Sequence, residues 1–559
     1  MLGAVAVLLA VILAEGAAAA VTRIDEHGTV LLDGRKVFPI VLAKGPERGS
    51  TTPSGADALD EVVGAGVNVF KVGPASRPWW PDDKADALAW NREAAARGAY
   101  TWVNLATLSD AEPGKLKDTR LREVISLLEN DPSATALAMW KGADEPWLAG
   151  FPPAVLQYAY CVATAGGDPG WCGDQPEADS DHLWVTIQAP RGTASDLAPY
   201  SAVTDVHGID DYPVTFQQSD PNLHEVGVWT DRIASVTPNR AVWTTLQVCA
   251  SGSSGPNGAF VLPTRRQERY MIYDAILNGA RSLAFYGGNL DRCWNATDTA
   301  HGWNWTFWNG VLSDLIREIN ADSPIAPALL NPGSTTRLTA SEPTTQVIVR
   351  EGVDDEIWVI AARSGPGSQP VTLSGLPSTV TSGTVYREGR AVAVAAGTLT
   401  DTFDRWDVHV YRFNTSSPPP PQPPPPPPPP PSRPAPAPPP PSPPPASPPP
   451  PPPVEPSPPP APAPRSTASK TTVSVTKTRT TVTVRGRVTL GHGGKVVVTL
   501  FRKRNGAFVR VASKTRVLTT AGTFTTSFRR PRPGLYKATA KFGGTASRLP
   551  SQASTTFRC

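Results

Sequence analysis

ALAMWKGADEPW, residues 136–147, decides how this chain is read. Its first half is apolar at every position up to Lys141. A segment with no polar face is a strand covered on both sides, as in a parallel sheet. Its second half sets two acids and a proline where that strand ends. Working outward, seven more stretches share the apolar character: KVFPIVLA (36–43), GVNVFKVG (66–73), YTWVNLA (100–106), HLWVTIQA (182–189), SAVTDVHGI (201–209), AVWTTLQV (241–248) and RSLAFYGG (281–288). Helical patterns fall between several of them, among them DALDEVVGAG, DALAWNREAAARG, LREVISLLEN and RRQERYMIYDAILNGA, and FWNGVLSDLIREIN closes the series. Eight strand–helix units in about 300 residues imply a (β/α)8 barrel, the TIM barrel. An open doubly wound sheet would need a Gly-rich phosphate loop after the first strand, and KGPERGS is not one.

Beyond the barrel the period changes to two. TQVIVREG, EIWVIAARS, QPVTLSG, GTVYREG and DVHVYRF predict a small β-sandwich over 330–415. TTVSVTKT, TTVTVRGRVTL, KVVVTLFRK, FVRVASKTRVL, GTFTTSFRR and GLYKATAKF predict a second sandwich, of immunoglobulin-like type, over 466–559. The fold class is therefore multidomain: a barrel over 21–325 plus two all-β sandwiches. Residues 416–465 between the sandwiches are almost pure proline, which favours polyproline II. Extended at roughly 3.1 Å per residue, that linker spans on the order of 150 Å. At the other end, residues 1–20 are an apolar run followed by AAAA, the pattern of a secretory signal peptide. A membrane anchor is the rival reading, but the run is short and Glu15 interrupts it.

Export permits disulfides. Cys161 and Cys172 are close enough in sequence to close a small loop. Cys249 and Cys293 each follow a predicted strand and could clip neighbouring loops. Cys559 is left over. No CxxC pair, HxH or HExxH is present, so neither a metal nor a cofactor is expected, and the lack of GxSxG disfavours a serine esterase. Charge is divided unevenly. The segment 466–559 holds 19 Lys and Arg and no acid, leaving 33 basic against 49 acidic residues elsewhere.

A barrel's chemistry sits at the C-terminal ends of its strands. Asp144 and Glu145 end the fourth strand, and Asp210, Asp211 and Tyr212 the sixth. Asn104 lies on the third and Gln188 on the fifth. Trp79, Trp80, Trp147, Trp294 and Trp303 follow strands two, four and eight. Flat aromatic faces suit the C–H faces of sugars, and carboxylates and amides suit their hydroxyls. Each Trp taken alone is more often packing than platform. The structural alternative for DEP is a strand-to-helix junction in which Asp caps a helix that Pro begins. For Asp210 the alternative is a turn before Tyr-Pro.

Residues 22–413 resemble the clan A glycoside hydrolases, on DGRKVFPIVL, GADEP, GIDDYPV, GARSLAFYGG and the closing VHVYRF. The resemblance implies that Glu145 is the acid/base, that Asp144 holds the place of an Asn that bonds the sugar 2-hydroxyl, and that Tyr212 contacts the nucleophile. The nucleophilic glutamate should end strand seven, where this chain has Gln247. An amide cannot form a glycosyl–enzyme ester. Asp210 is then the first candidate for the second catalytic carboxylate. A substrate's own acetamido group is another candidate nucleophile, and that mechanism uses two adjacent acids; on a regular strand, however, Asp144 and Glu145 face opposite ways.

The expectation is a secreted carbohydrate-active enzyme that hydrolyses O-glycosidic bonds on a glycan held in the barrel mouth, with Glu145 as general acid. The alternatives are a catalytically silent glycan-binding barrel and a structural surface or adhesion protein. The basic tail has no Trp platform. It is expected to adhere to an anionic envelope or matrix polymer, with no specific nucleic-acid reading.

Overall fold

The computed structural model describes residues 20–75, 77–164, 181–215, 221–238, 240–249, 261–331, 333–415, 470–478, 481–489, 495–504, 507–519, 521–529, 533–542 and 551–558. The expected signal segment, the proline linker, Cys172 and Cys559 lie outside them. Two compact units divide the chain, 1–426 and 427–559.

The first unit contains a closed parallel barrel of eight strands: β1 Ile40–Leu42, β2 Val69–Val72, β3 Tyr100–Asn104, β4 Leu137–Asp144, β5 Leu183–Gln188, β6 Val206–Asp210, β7 Ala241–Gln247 and β8 Ser282–Tyr286. β8 returns to pair with β1, Leu283 against Ile40. All eight fall within the stretches quoted above, except that β6 runs on to Asp210. The first expected strand is divided at Pro39. Arg35–Val37 joins an antiparallel ribbon with Val30–Leu32 and Thr22–Ile24, and only Ile40–Leu42 enters the barrel. Proline has no N–H with which to continue a ladder. The sixth strand begins late because Ala198–Val203 winds into a 3-10 helix.

Local chemistry sets the helix limits. Asp57 accepts from the N–H groups of Leu59 and Asp60 to start the helix Ala58–Ala65, and Gly66, at φ 119°, ends it. Leu59 and Val62 on that helix are fully buried, each worth about 1.5–3 kcal/mol relative to exposure. Thr264 and Gln267 form a reciprocal cap on the helix Arg265–Leu277.

Strand alternation then fills the barrel in layers. Val41, Val69, Met139, Val185, Val206, Trp243 and Ala284 pack in its middle. Trp102 meets Trp243 there edge to face, centroids 5.1 Å apart.

An eight-strand antiparallel pair of sheets follows. Thr339–Ala340, Gln369–Ser374 and Thr398–Phe403 form one sheet. Thr345–Glu351, Glu356–Arg363, Asp407–Asn414, Ser382–Val385 and Arg390–Ala393 form the other. It packs on the helix Arg265–Leu277: Trp406 lies 4.8 Å from Tyr270, and Arg269 donates to the Val408 carbonyl at 2.6 Å.

The second unit is also a two-sheet sandwich. Lys470–Lys477, Thr481–Thr489 and Thr523–Arg529 face Ala507–Val517, Lys495–Arg504, Leu535–Phe542 and Ser551–Arg558. Its core holds Val484, Val488, Val496, Val498, Leu500, Phe524 and Phe542. The last strand, Ser551–Arg558, goes beyond the six that its sequence shows, because its alternation is polar with polar. Among the described residues, no helix is long and apolar enough to cross a membrane.

Candidate active site

Each barrel strand sends one residue of its inward-facing set into a recess of about 220 Å³ at the C-terminal mouth. These are Ala43 just past β1, Lys71 of β2, Trp102 of β3, Lys141 of β4, Ile187 of β5, Asp210 of β6, Thr245 of β7 and Tyr286 of β8. Lys44, Ala75, Asp144, Glu145 and Tyr212 complete the wall. The period of two explains the set: Val69 and Lys71, Met139 and Lys141, and Trp243 and Thr245 are successive inward positions, apolar below and functional above.

Asp144 and Glu145 both face this recess, which regular alternation forbids. Two local departures allow it. The pairing of β4 with β5 shifts register between Lys141 and Asp144, and a bulge re-aims the side chains beyond it. Gly142 sits in that shift, and a Cβ there would lie 2.0 Å from the indole nitrogen of Trp184. Glu145 then turns left-handed, φ 48° and ψ 47°. For a non-glycine residue that conformation costs about 1–3 kcal/mol and gathers at functional sites. The Glu145 N–H still donates to the Ile187 carbonyl at 2.7 Å, so the turn is anchored to β5. Pro146 does begin a short helix, Pro146–Ala149, but no acid side chain caps it.

The carboxyls of Glu145 and Asp210 are hydrogen-bonded to each other. Asp210 is raised well above the usual carboxylate range by burial first, then by the charges of Glu145 and Asp144. Its Oδ1 is fully buried, and Tyr212 beside it offsets the rise only in part. Glu145 is raised as well, by burial and by Asp144. Burial and like charge together oppose ionising both acids at once, so the two titrate as a pair. Asp144 behaves oppositely. Burial pushes it up, but Lys141, Lys71 and Lys44 outweigh that and hold it below the usual range. Lys141 Nζ meets Asp144 Oδ1 at 2.6 Å. Burial, with Lys141 beside it, lowers Lys71 to about 7.

The other expected site residues fall elsewhere. Gln247 is fully buried, and both ends of its amide bond the Val214 backbone, at 2.9 and 3.0 Å. Asn104 is buried and donates to the Pro74 carbonyl at 2.6 Å, bracing the loop after β2. Gln188 accepts from the Trp147 N–H at 3.3 Å. None of the five tryptophans lines the recess. Trp79 is buried and bonds the Asn104 carbonyl, and Trp303 is buried and bonds the Lys44 carbonyl. Trp294 bonds the Gly288 carbonyl, and Trp147 packs against Gly192. Trp80 is exposed under Arg77, 4.3 Å from its ring. The aromatic surface of the recess is Trp102 with the stacked pair Tyr212 and Tyr286, centroids 5.9 Å apart. His207 is a buried core residue, kept neutral by burial and Arg240, which lower it to about 3. Asp211 is buried and raised to about 7 by burial, Glu225 and Asp274, and it does not line the recess.

Lys44, Lys71, Trp102, Lys141 and Tyr286 are polar or aromatic recess residues that motif reading misses. For Lys71 and Lys141 a sequence signal exists: a lysine inside an otherwise apolar barrel strand (VFKVG, AMWKG), two positions above an inward apolar residue. At the rim, Cys249 and Cys293 form a disulfide between the loops after β7 and β8, Cα atoms 6.2 Å apart. Cys161 is also disulfide-bonded.

No family model and no curated protein matches the chain. Among solved structures it is similar to one titled glycoside hydrolase, with 12% identity over 71% of this chain and 97% of that one and a TM-score of 0.43. It is also similar to a glycoside hydrolase family 5 protein from Bacteroides vulgatus, with 13% identity over 70% and 93% and a TM-score of 0.45. A third is a GH27 β-L-arabinopyranosidase from Geobacillus stearothermophilus, with 11% identity over 67% and 96% and a TM-score of 0.41. Likenesses at these values carry no argument about activity; the barrel assignment stands on the strand pairing of this chain.

Proposed function

We propose that the first unit is a glycoside hydrolase-type enzyme that cleaves O-glycosidic bonds, with Glu145 delivering the proton to the departing oxygen. The observation that carries this reading is the Glu145–Asp210 pair, two acids both raised in one recess at the mouth of the barrel. A carboxyl that keeps its proton near neutrality is what general acid catalysis needs. Asp210 is the proton reserve, and Tyr212 orients it. Resting contact is shorter than the roughly 5–5.5 Å of retaining pairs and the 6.5–9.5 Å of inverting ones. Substrate entry must therefore part the pair, after which Asp210 can act on the opposite face of the sugar. Tyr212, Tyr286 and Trp102 supply the apolar surface for the ring.

The expected result with a panel of aryl glycosides, N-acetylhexosaminides among them, is measurable turnover by the wild type. Glu145→Gln should lower kcat by about 10²- to 10⁴-fold. Wild-type binding without turnover, unchanged by Glu145→Gln, would favour the second reading, a silent glycan-binding barrel. The amide of Gln247, held by Val214 where a nucleophile is expected, is the observation on that side.

We further propose the division 1–20 signal peptide, 21–325 barrel, 330–415 accessory sandwich, 416–465 linker and 466–559 immunoglobulin-like module. Export is supported by the Cys249–Cys293 bond, since such bonds persist in oxidising compartments.

A further inference from the structure

Three lysines and three carboxyls line the recess: Lys44, Lys71 and Lys141 with Asp144, Glu145 and Asp210. With every lysine protonated and one acid proton kept on the Glu145–Asp210 pair, three positive charges would face two negative ones; Lys71, lowered to about 7, sheds part of that charge in the empty site. Lys141 already has its partner in Asp144, at 2.6 Å. Among the described residues, neither Lys44 nor Lys71 makes an ion pair or hydrogen bond through Nζ. Lys71 rests over the Trp102 ring, 5.7 Å from its centroid, and Lys141 lies at the same distance. A bare ammonium so placed is costly unless an opposite charge joins it.

We propose that the recess is built for a sugar bearing a negative substituent, a uronic acid carboxylate, bound between Lys71 and Lys44. This rests on reading the recess as a sugar site. One added carboxylate brings the lining to neutrality and gives both lysines a partner. Trp102 and the Tyr212–Tyr286 stack meet the ring, and the acid pair faces the glycosidic oxygen. The lysines of the empty site agree in direction: burial, with Lys141 beside it, lowers Lys71 to about 7, and burial lowers Lys44 although Glu47 and Asp144 oppose it. A bound carboxylate reverses both shifts, so binding near pH 7 to 8 must draw protons from solution.

The test is calorimetric titration of the full chain with D-glucuronate, glucose 6-phosphate and glucose, in two buffers of different ionisation enthalpy. Glucuronate is expected to bind at least tenfold more tightly than glucose, with net proton uptake. Lys71→Met should remove both the preference and the uptake. Lys44→Gln, at a less buried position, should weaken the preference if Lys71→Met fails to fold. Preference for glucose 6-phosphate over glucuronate would reassign the substituent from a carboxylate to a phosphate ester and overturn the uronate assignment. Equal affinity for glucuronate and glucose, no binding of any of the three, or no effect of either substitution would overturn the proposal. Hydrolysis of a neutral glycan without glucuronate preference sinks this inference and leaves the hydrolase intact. Lys71-dependent glucuronate binding with no hydrolysis of any glycan does the reverse.

Discussion

Asp210 shows how one residue's surroundings set another's chemistry. It is buried against Glu145 and raised by that neighbour's charge. Glu145 is raised by burial and by the charge of Asp144, and Asp144→Asn removes that like charge while keeping the shape. The acid form of Glu145 should then be lost at lower pH, because less repulsion opposes its ionisation. The alkaline limb of the kcat/KM–pH profile is expected to move down in Asp144→Asn; an unmoved limb would mean that Asp144 does not act on the Glu145–Asp210 pair. Both acids were legible in the sequence as carboxyls at strand ends. Their contact was not, because nothing in DEP or DDY says that β4 and β6 aim at one point. Gln247 was legible as a neutral residue at a position where the resemblance expects a glutamate. That its amide would be engaged by Val214 needed the loop after β6 in place. The tryptophans misled for a related reason: loop position does not say which way an indole turns, and Trp79 and Trp303 turn inward to bond carbonyls.

Among the elements, β4 carries the site. A regular strand would have sent Asp144 and Glu145 to opposite faces; the register shift at Gly142 and the left-handed Glu145 put both in the recess. The loops at β7 and β8 are held by the Cys249–Cys293 bond across 44 residues. Chain entropy puts the loss on Cys293→Ser at roughly 4 kcal/mol, read as a lower denaturant midpoint. The helix Arg265–Leu277 carries a different feature. Glu268 is fully buried, both its oxygens lack a partner, and burial raises it well above its usual range. The folded chain therefore keeps this proton where the unfolded chain, with a carboxyl near pKa 4.3, has released it. Stability from this group is complete below about pH 4.3 and is lost as pH rises towards the folded value, by up to about 1.4 kcal/mol per pH unit. Glu268→Gln is expected to flatten the fall in denaturation midpoint between about pH 5 and 7; an unchanged slope would show that Glu268 is ionised in the fold.

For the whole molecule, charge is the organising quantity. The segment 466–559 has 19 basic residues and no acid, while the rest carries 33 basic and 49 acidic. Such a surface attracts polyanions with little geometric demand. The full chain should be retained on polygalacturonate beads at 0.15 M salt and released by 1 M, as the screening length falls from about 8 to about 3 Å. A chain ending at residue 415 should pass through. Retention that salt does not weaken would count against an electrostatic tether. The architecture was largely legible at this scale. Eight apolar runs with helices between them have few other solutions, and alternation marked most of the strands in each sandwich. The strands that escaped notice are Thr339–Ala340, Arg390–Ala393, Thr398–Phe403 and Ser551–Arg558: the first two are short, and the others bury few large apolar residues, Leu399 and Phe403 in one and Phe557 in the other.

By itself the sequence determined the barrel, the two sandwiches and the identity of the acids at the strand ends. Burial on both faces and alternation are written in the order of apolar residues, and need no knowledge of what lies across the barrel. Tertiary structure alone decided that Glu145 and Asp210 meet in one recess, that Lys71 and Lys141 flank Trp102 there, and that Gln247 is occupied elsewhere. Those facts depend on barrel closure, which brings residues of β2, β4, β6 and β8 together from across the chain, and on one bulge that breaks the alternation of β4. Charge–charge and hydrogen-bond energies vary with distance and burial, and those are set only once the chain has closed.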